Sequence, residues 1–151
     1  MTAALVIVAV LVVVAAVAVW QRRRSGVVRT VTQAPAGDDA LAAELAAAGL
    51  RGRGPLVLHF SADWCGPCAQ VRPLVDQVCA DLGGVRHLEV DVAAHPALAR
   101  RFGVLSLPTV LVLGDDLGTR ARVSGVPSAD DLRGALVPLT GSVRPDQRDA
   151  R

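Results

Sequence analysis

Tyrosine is absent from this 151-residue chain and aromatic residues make up only 3% of it, so a core has to be filled mainly by Val, Leu and Ala. Charge of one sign is lacking too. Sixteen Lys and Arg against 14 Asp and Glu leave a net charge of +2, too small and too dispersed to argue for a nucleic-acid partner or an acidic substrate. Cysteine is scarce and odd in number: three residues with one close pair exclude a small scaffold stapled by many disulfides, while redox chemistry or metal binding stays open. What is plentiful is hydrophobic residues, 52% of the chain, enough for a compact fold. Once an apolar N-terminal stretch is set aside, the remainder has the length of one domain.

Residues 2–21 contain no charge, and twenty residues at about 1.5 Å each span roughly 30 Å, the hydrocarbon thickness of a bilayer. The run is apolar on every face, whereas a helix on a domain surface shows a polar side. It is expected to be one transmembrane anchor over residues 1–21. A cleavable signal peptide fits less well despite the small residues Ala16-Val17-Ala18, because no basic residue precedes the run and Arg22, Arg23 and Arg24 follow it. Clustered arginines resist translocation, so the chain is expected to be a single-pass protein of the cell membrane with its domain in the cytoplasm. Trp20 suits the interface at that end, and an extracytoplasmic domain is the alternative.

Residues 22–37 read as a juxtamembrane linker with a possible first strand in the β-branched run 27–32. Asp38 or Asp39 caps an Ala-rich helix running through Leu41, Leu45 and Leu50 and stopping near Gly49 or Gly52. Residues 56–60 have the length and composition of a buried strand, and residues 66–82 carry apolar side chains at helical spacing up to Gly83-Gly84. A strand at 85–92, a short helix at 96–102, a strand at 109–113 and a polar, edge-like strand at 120–124 follow. Ser128 caps a last helix with Leu132, Leu136 and Val137 as candidates for its apolar face, ended by Pro138. Residues 139–151 read as a disordered tail.

At the junction of the first buried strand and the long helix stands Trp64-Cys65-Gly66-Pro67-Cys68. A cysteine in the first turn of a helix faces unpaired backbone N–H groups and the positive end of the helix dipole, which favour its thiolate. Cys65 is the expected nucleophile, and Cys68, one turn on, the expected resolving thiol that releases a reduced partner. Gly66-Pro67 sets the turn between them.

This run resembles the active-site signature of the thioredoxin family. Pro73 in the following helix, Leu107-Pro108-Thr109 and Gly125 extend the resemblance over residues 27–138. It implies an α/β fold, a central mixed β-sheet flanked by helices, here a domain at 38–138 or starting near 27, preceded by the anchor. It implies a protein-disulfide reductase with Cys65 and Cys68 as its redox-active disulfide. A cis-proline loop would place Pro108 and Leu107 against the substrate, beside Trp64, Gly66 and Pro67. The partners implied are disulfide-containing client proteins and a thiol reductant or reductase, with no cofactor, no metal and no nucleic acid.

The chain departs from the family where a buried acid usually precedes the motif and His59 stands instead, with His87 where a lysine is common. An imidazole suits proton transfer near neutral pH, so His59 is a candidate to serve Cys68; a hydrogen-bonded core histidine is the alternative. Ser61 replaces a common aromatic residue. Cys79, on the apolar face of its helix, reads as a core residue, and His95 as a loop residue. A zinc site built on Cys65 and Cys68 is disfavoured by the absence of a second pair. A redox-sensing or binding module without turnover is the remaining rival.

Overall fold

The computed structural model describes residues 6–7, 10–16, 29–30 and 37–141. Most of the expected anchor, the linker apart from residues 29–30 and 37, and residues 142–151 of the expected tail lie outside the described residues. No described helix is long and apolar enough to cross a membrane.

Among the described residues from 29 to 141, the elements in chain order are β1 (Arg29–Thr30), α1 (Asp39–Ala47), β2 (Leu56–Ser61), α2 (Cys68–Leu82), β3 (Arg86–Asp91), α3 (Pro96–Arg101), β4 (Thr109–Leu113), β5 (Thr119–Ser124) and α4 (Ala129–Thr140). The strands form a mixed sheet in the order β1-β5-β4-β2-β3, with β2 and β3 parallel and the other pairs antiparallel. The edge-like look of residues 120–124 has a simple cause: among the described residues only the two-residue β1 covers that side of β5.

Alternation along the strands sorts the side chains into two apolar layers. Val57, Val110, Val112, Ala121 and Val123 pack beneath Val71, Val75 and Val78 of α2 and Leu132 and Leu136 of α4. On the other face Leu56, Leu58, Phe60, Leu88, Val90, Leu111 and Leu113 meet Leu41 and Leu45 of α1 and Leu98 of α3. Every residue of β2 is buried, because that strand lies second from the edge with helices on both sides. His59 and Ser61 share the parity of Val57 and therefore lie on the α2 face.

Local chemistry sets the helix ends. Asp38 accepts a hydrogen bond from the Leu41 N–H at 2.8 Å, and Ser128 accepts one from the Asp131 N–H at 3.1 Å. Val137 is 54% exposed rather than on the buried face of α4, and three boundaries differ from the sequence expectation, the first being that α1 ends at Ala47 and leaves Leu50 outside it. Helix α2 begins at Cys68, and the residues before it form tighter turns: the N–H groups of Cys68, Ala69 and Gln70 donate to the carbonyls of Cys65, Gly66 and Pro67. Pro138 lies inside α4, which continues to Thr140, so residues 139 and 140 belong to the helix rather than to a tail.

Candidate active site

Strand β2 ends at Ser61, and the chain turns through residues 62–67 to enter α2. The Cys65 N–H donates to the Ala62 carbonyl at 2.9 Å, fixing the first half of that turn. Cys65 stands in the turn just ahead of the helix and Cys68 is the first helical residue, rather than both lying along one helix. The two form a disulfide with an S–S distance of 2.06 Å and Cα atoms 5.4 Å apart. Gly66 faces open space, where an added Cβ would meet nothing within 4 Å, so packing within this chain does not demand glycine there.

Ala62, Cys65 and Cys68 form a small buried cluster against which Val92 and Leu107 pack. The Leu107–Pro108 bond is cis. Gly125 (φ 103°) donates its N–H to the Pro108 carbonyl at 2.7 Å, a backbone conformation that an L side chain rarely adopts. This contact ties the proline loop to the end of β5. Trp64, by contrast, is 79% exposed beside the disulfide. The structure thus brings Leu107 to the cysteines, with cis Pro108 next in the chain.

His59 is fully buried beneath α2, and neither ring nitrogen has a hydrogen-bond partner among the described residues. Burial lowers its pKa to about 4, against a smaller opposing pull from Glu89, so the ring is neutral at pH 7. Its ring stacks on that of His87, with centroids 6.1 Å apart. The His87 Nδ1 meets Asp76 Oδ1 at 2.6 Å, while its buried Nε2 has no partner among the described residues. His95 stands at the start of α3 and makes no capping bond with its side chain. Cys79 is buried in the α2 layer, where burial pushes its thiol up to about 11. A thiol so poorly ionised is a weak nucleophile. Among the described residues no three His, Cys, Asp or Glu side chains are grouped to hold a metal ion.

Two polar residues near the disulfide were not singled out by the sequence. Glu89 of β3 pairs with His59 of β2 in the sheet register and accepts hydrogen bonds from Ser61 Oγ at 2.7 Å and Arg72 Nε at 2.5 Å. The Arg72 guanidinium, then the Ser61 hydroxyl, hold its carboxyl down at about 2 despite partial burial. Ser61, Glu89 and Arg72 border the same pocket as Cys65 and Cys68, whereas His59 does not line it. The strand alternation in residues 86–91 places Glu89 on one face, but only the register shows which face meets the cysteines.

Comparison with known proteins agrees with this geometry. The thioredoxin family model matches residues 41–137. A thioredoxin of Streptomyces clavuligerus is 31% identical over 114 residues, which cover 76% of this chain and 98% of that protein. A thioredoxin of Mycolicibacterium smegmatis is 38% identical over 82 residues, 52% of this chain and 73% of that one. Among solved structures, a mutant thioredoxin from Halobacterium salinarum superposes with a TM-score of 0.55 at 27% identity, covering 70% of this chain and 87% of its own. With the mixed sheet, the disulfide ahead of α2 and the cis-proline loop in place, the chain belongs to the thioredoxin family of thiol–disulfide oxidoreductases.

Proposed function

We propose that this chain reduces disulfides of client proteins through Cys65 and Cys68, tethered to the cell membrane by residues 1–21 with its catalytic domain in the cytoplasm. The observation that carries the catalytic reading is the disulfide set between the end of β2 and the N-terminus of α2, with Leu107 of the cis-proline loop packed against it. In the reduced enzyme the Cys65 thiolate, favoured by the N–H groups and dipole at the start of α2, attacks one sulfur of the client disulfide. A Cys65–client disulfide forms and the client's other sulfur leaves as a thiolate. Cys68 then gives up its proton and attacks Cys65 Sγ. The Cys65–Cys68 bond closes, the client departs as a dithiol, and two electrons have passed from enzyme to client. A thiol reductant or a reductase restores the dithiol. Trp64, Gly66, Pro67, Leu107 and Pro108 form the surface on which the client's extended chain lies. His59, buried beneath α2 with no partner on its ring nitrogens among the described residues, is the group assigned to take the Cys68 proton, although burial, by lowering its pKa to about 4, makes it a weaker base than a free imidazole.

The tether is supported by apolar side chains on helical backbone, Val6, Ile7 and residues 10–14, that are 55–62% exposed and therefore uncovered by this chain. The arginines at 22–24 support the cytoplasmic placement.

The purified full-length chain should reduce insulin with dithiothreitol as donor, and Cys65→Ser should bring the rate to background. Cys68→Ser should instead accumulate a Cys65–client mixed disulfide visible on non-reducing gels. Turnover that survives in Cys65→Ser would remove the proposed nucleophile, and client binding without any reduction by the wild type would favour a module that only binds.

A further inference from the structure

The flank of the disulfide formed by the end of β2, the first turns of α2 and strand β3 holds a pocket of about 250 Å³. Its polar border comprises Ser61, Asp63, Arg72 and Glu89, and Cys65 and Cys68 line it together with Ala62 and Ala69. The volume lies below the roughly 300–1,000 Å³ of sites for drug-sized ligands, so the pocket suits a smaller molecule. Leu107 and Trp64 do not line it, which separates it from the surface assigned above to the client chain.

The polar groups have a definite order. Both oxygens of Glu89 are engaged, one by Ser61 Oγ and the other by Arg72 Nε. The guanidinium is thereby held through Nε alone. Among the described residues its two terminal nitrogens make no hydrogen bond, and the side chain is 66% exposed. A guanidinium anchored in this way presents an open pair of N–H donors, the fork that fits a carboxylate in bidentate fashion. Asp63, exposed on the same border, supplies a negative charge for an ammonium group. A site with an anchored cation, a nearby anion and a reducible disulfide is matched by a small molecule that carries a carboxylate, an ammonium and a thiol.

We propose that this pocket binds a low-molecular-weight thiol of the amino-acid type, which acts as the electron donor that reduces the Cys65–Cys68 disulfide. The proposal rests on the reading of that pair as the redox centre. The ligand's carboxylate sits on the terminal nitrogens of Arg72 and its ammonium lies toward Asp63. Its thiolate attacks Cys65 Sγ, forming a ligand–Cys65 disulfide as the Cys65–Cys68 bond breaks, and Cys68 leaves as a thiolate and takes a proton. A second molecule of the thiol attacks the ligand sulfur of that mixed disulfide. The small molecule leaves as its symmetrical disulfide, Cys65 is protonated from solvent, and two thiols have been oxidised for one enzyme disulfide reduced. Ser61 contributes by being small and by fixing Glu89; a bulky residue at 61 would fill the space the ligand needs.

The test uses the oxidised full-length chain and follows loss of the disulfide by acid quench and alkylation, with rates expressed per thiolate so that differences in thiol acidity drop out. Cysteine should show saturation and a rate about tenfold above cysteamine, which lacks the carboxylate, and above 2-mercaptoethanol. The ratio of the cysteine rate to the dithiothreitol rate should fall about tenfold in Arg72→Gln and in Ser61→Trp. Because each variant is scored by a ratio of two donors, partial misfolding affects both terms alike. Cysteine behaving like cysteamine in the wild type, with no saturation, overturns the proposal, and so does a cysteine preference that survives in Arg72→Gln. Failure of dithiothreitol to reduce the pair, or to drive insulin reduction, would instead overturn the assignment of the redox centre itself.

Discussion

An imidazole enclosed by the sheet and α2 with both nitrogens unpaired works against stability, because a polar group taken from water without a partner costs on the order of 1–3 kcal/mol. Leucine is of similar size and has no polar atom to satisfy, so His59→Leu is expected to raise the unfolding free energy at pH 7 by about 1 kcal/mol. The same site sets an acid response. The folded pKa of about 4 lies below the ordinary 6.5, so between those values the unfolded chain binds a proton that the folded chain refuses. Stability is full above pH 6.5 and falls as the pH drops toward 4, by roughly 3 kcal/mol at most. The charged or titratable groups that act on the ring are Glu89, His87 and Arg72. Glu89, whose pKa is itself lowered from 4.5 to about 2, adds its own loss only below about pH 4.5. Urea unfolding of the wild type and of His59→Leu at pH 7, 6 and 5 separates the two. The wild type should weaken across that range and the variant should respond less; parallel curves would show that the ring does not govern the response. The variant also tests the proton role, since a relay through His59 requires the step that resolves the Cys65–client disulfide to slow, and an unaltered rate from pH 6 to 8 would leave the histidine a packing residue.

At the scale of elements, helix α4 shows how a single cap can be weighed. The Ser128 hydroxyl satisfies one of the donors at the start of the helix, and Asp130 and Asp131 add favourable charge in the first turn. Ser128→Ala should lower stability by about 1 kcal/mol, read as a drop in the urea midpoint with an unchanged slope. A cap of this kind is legible in a sequence because it depends only on neighbours along the chain. So are β2 and β4, whose apolar runs at 56–60 and 109–113 match the observed strands to within a residue. What the sequence hides depends on contacts across the fold. The start of α2 at Cys68 follows from the turns that carry the chain out of β2, and these place Cys65 just ahead of the helix. Pro138 did not end α4: it stands in the last turn, and the helix runs only two residues beyond it, to Thr140. Glu89 went unnoticed because its meeting with Ser61 and Arg72 requires the parallel register of β2 and β3, a pairing over 28 residues of sequence.

For the molecule as a whole, the proposed tether would decide which disulfides the active site can reach. Among the described residues, the two apolar layers on the sheet are built from residues between Leu41 and Leu139. In the proposed tether, the exposed apolar side chains at residues 6–7 and 10–14 would be covered by a bilayer, which a helix can enter because it satisfies its own backbone hydrogen bonds. The arginines at 22–24 then set the direction. Full-length protein is expected to stay with the membrane fraction through alkaline carbonate, and removal of residues 1–21 should release it without loss of insulin reduction. In intact cells an impermeant thiol reagent should leave Cys65 unmodified even after mild reduction, while permeabilised cells show labelling. Cys79, being buried, would not confuse the result under native conditions. Labelling of Cys65 in intact cells would reverse the orientation, and with it the donor problem. A domain in the cytoplasm can draw on soluble thiols, whereas one on the opposite face would need electrons carried across the bilayer.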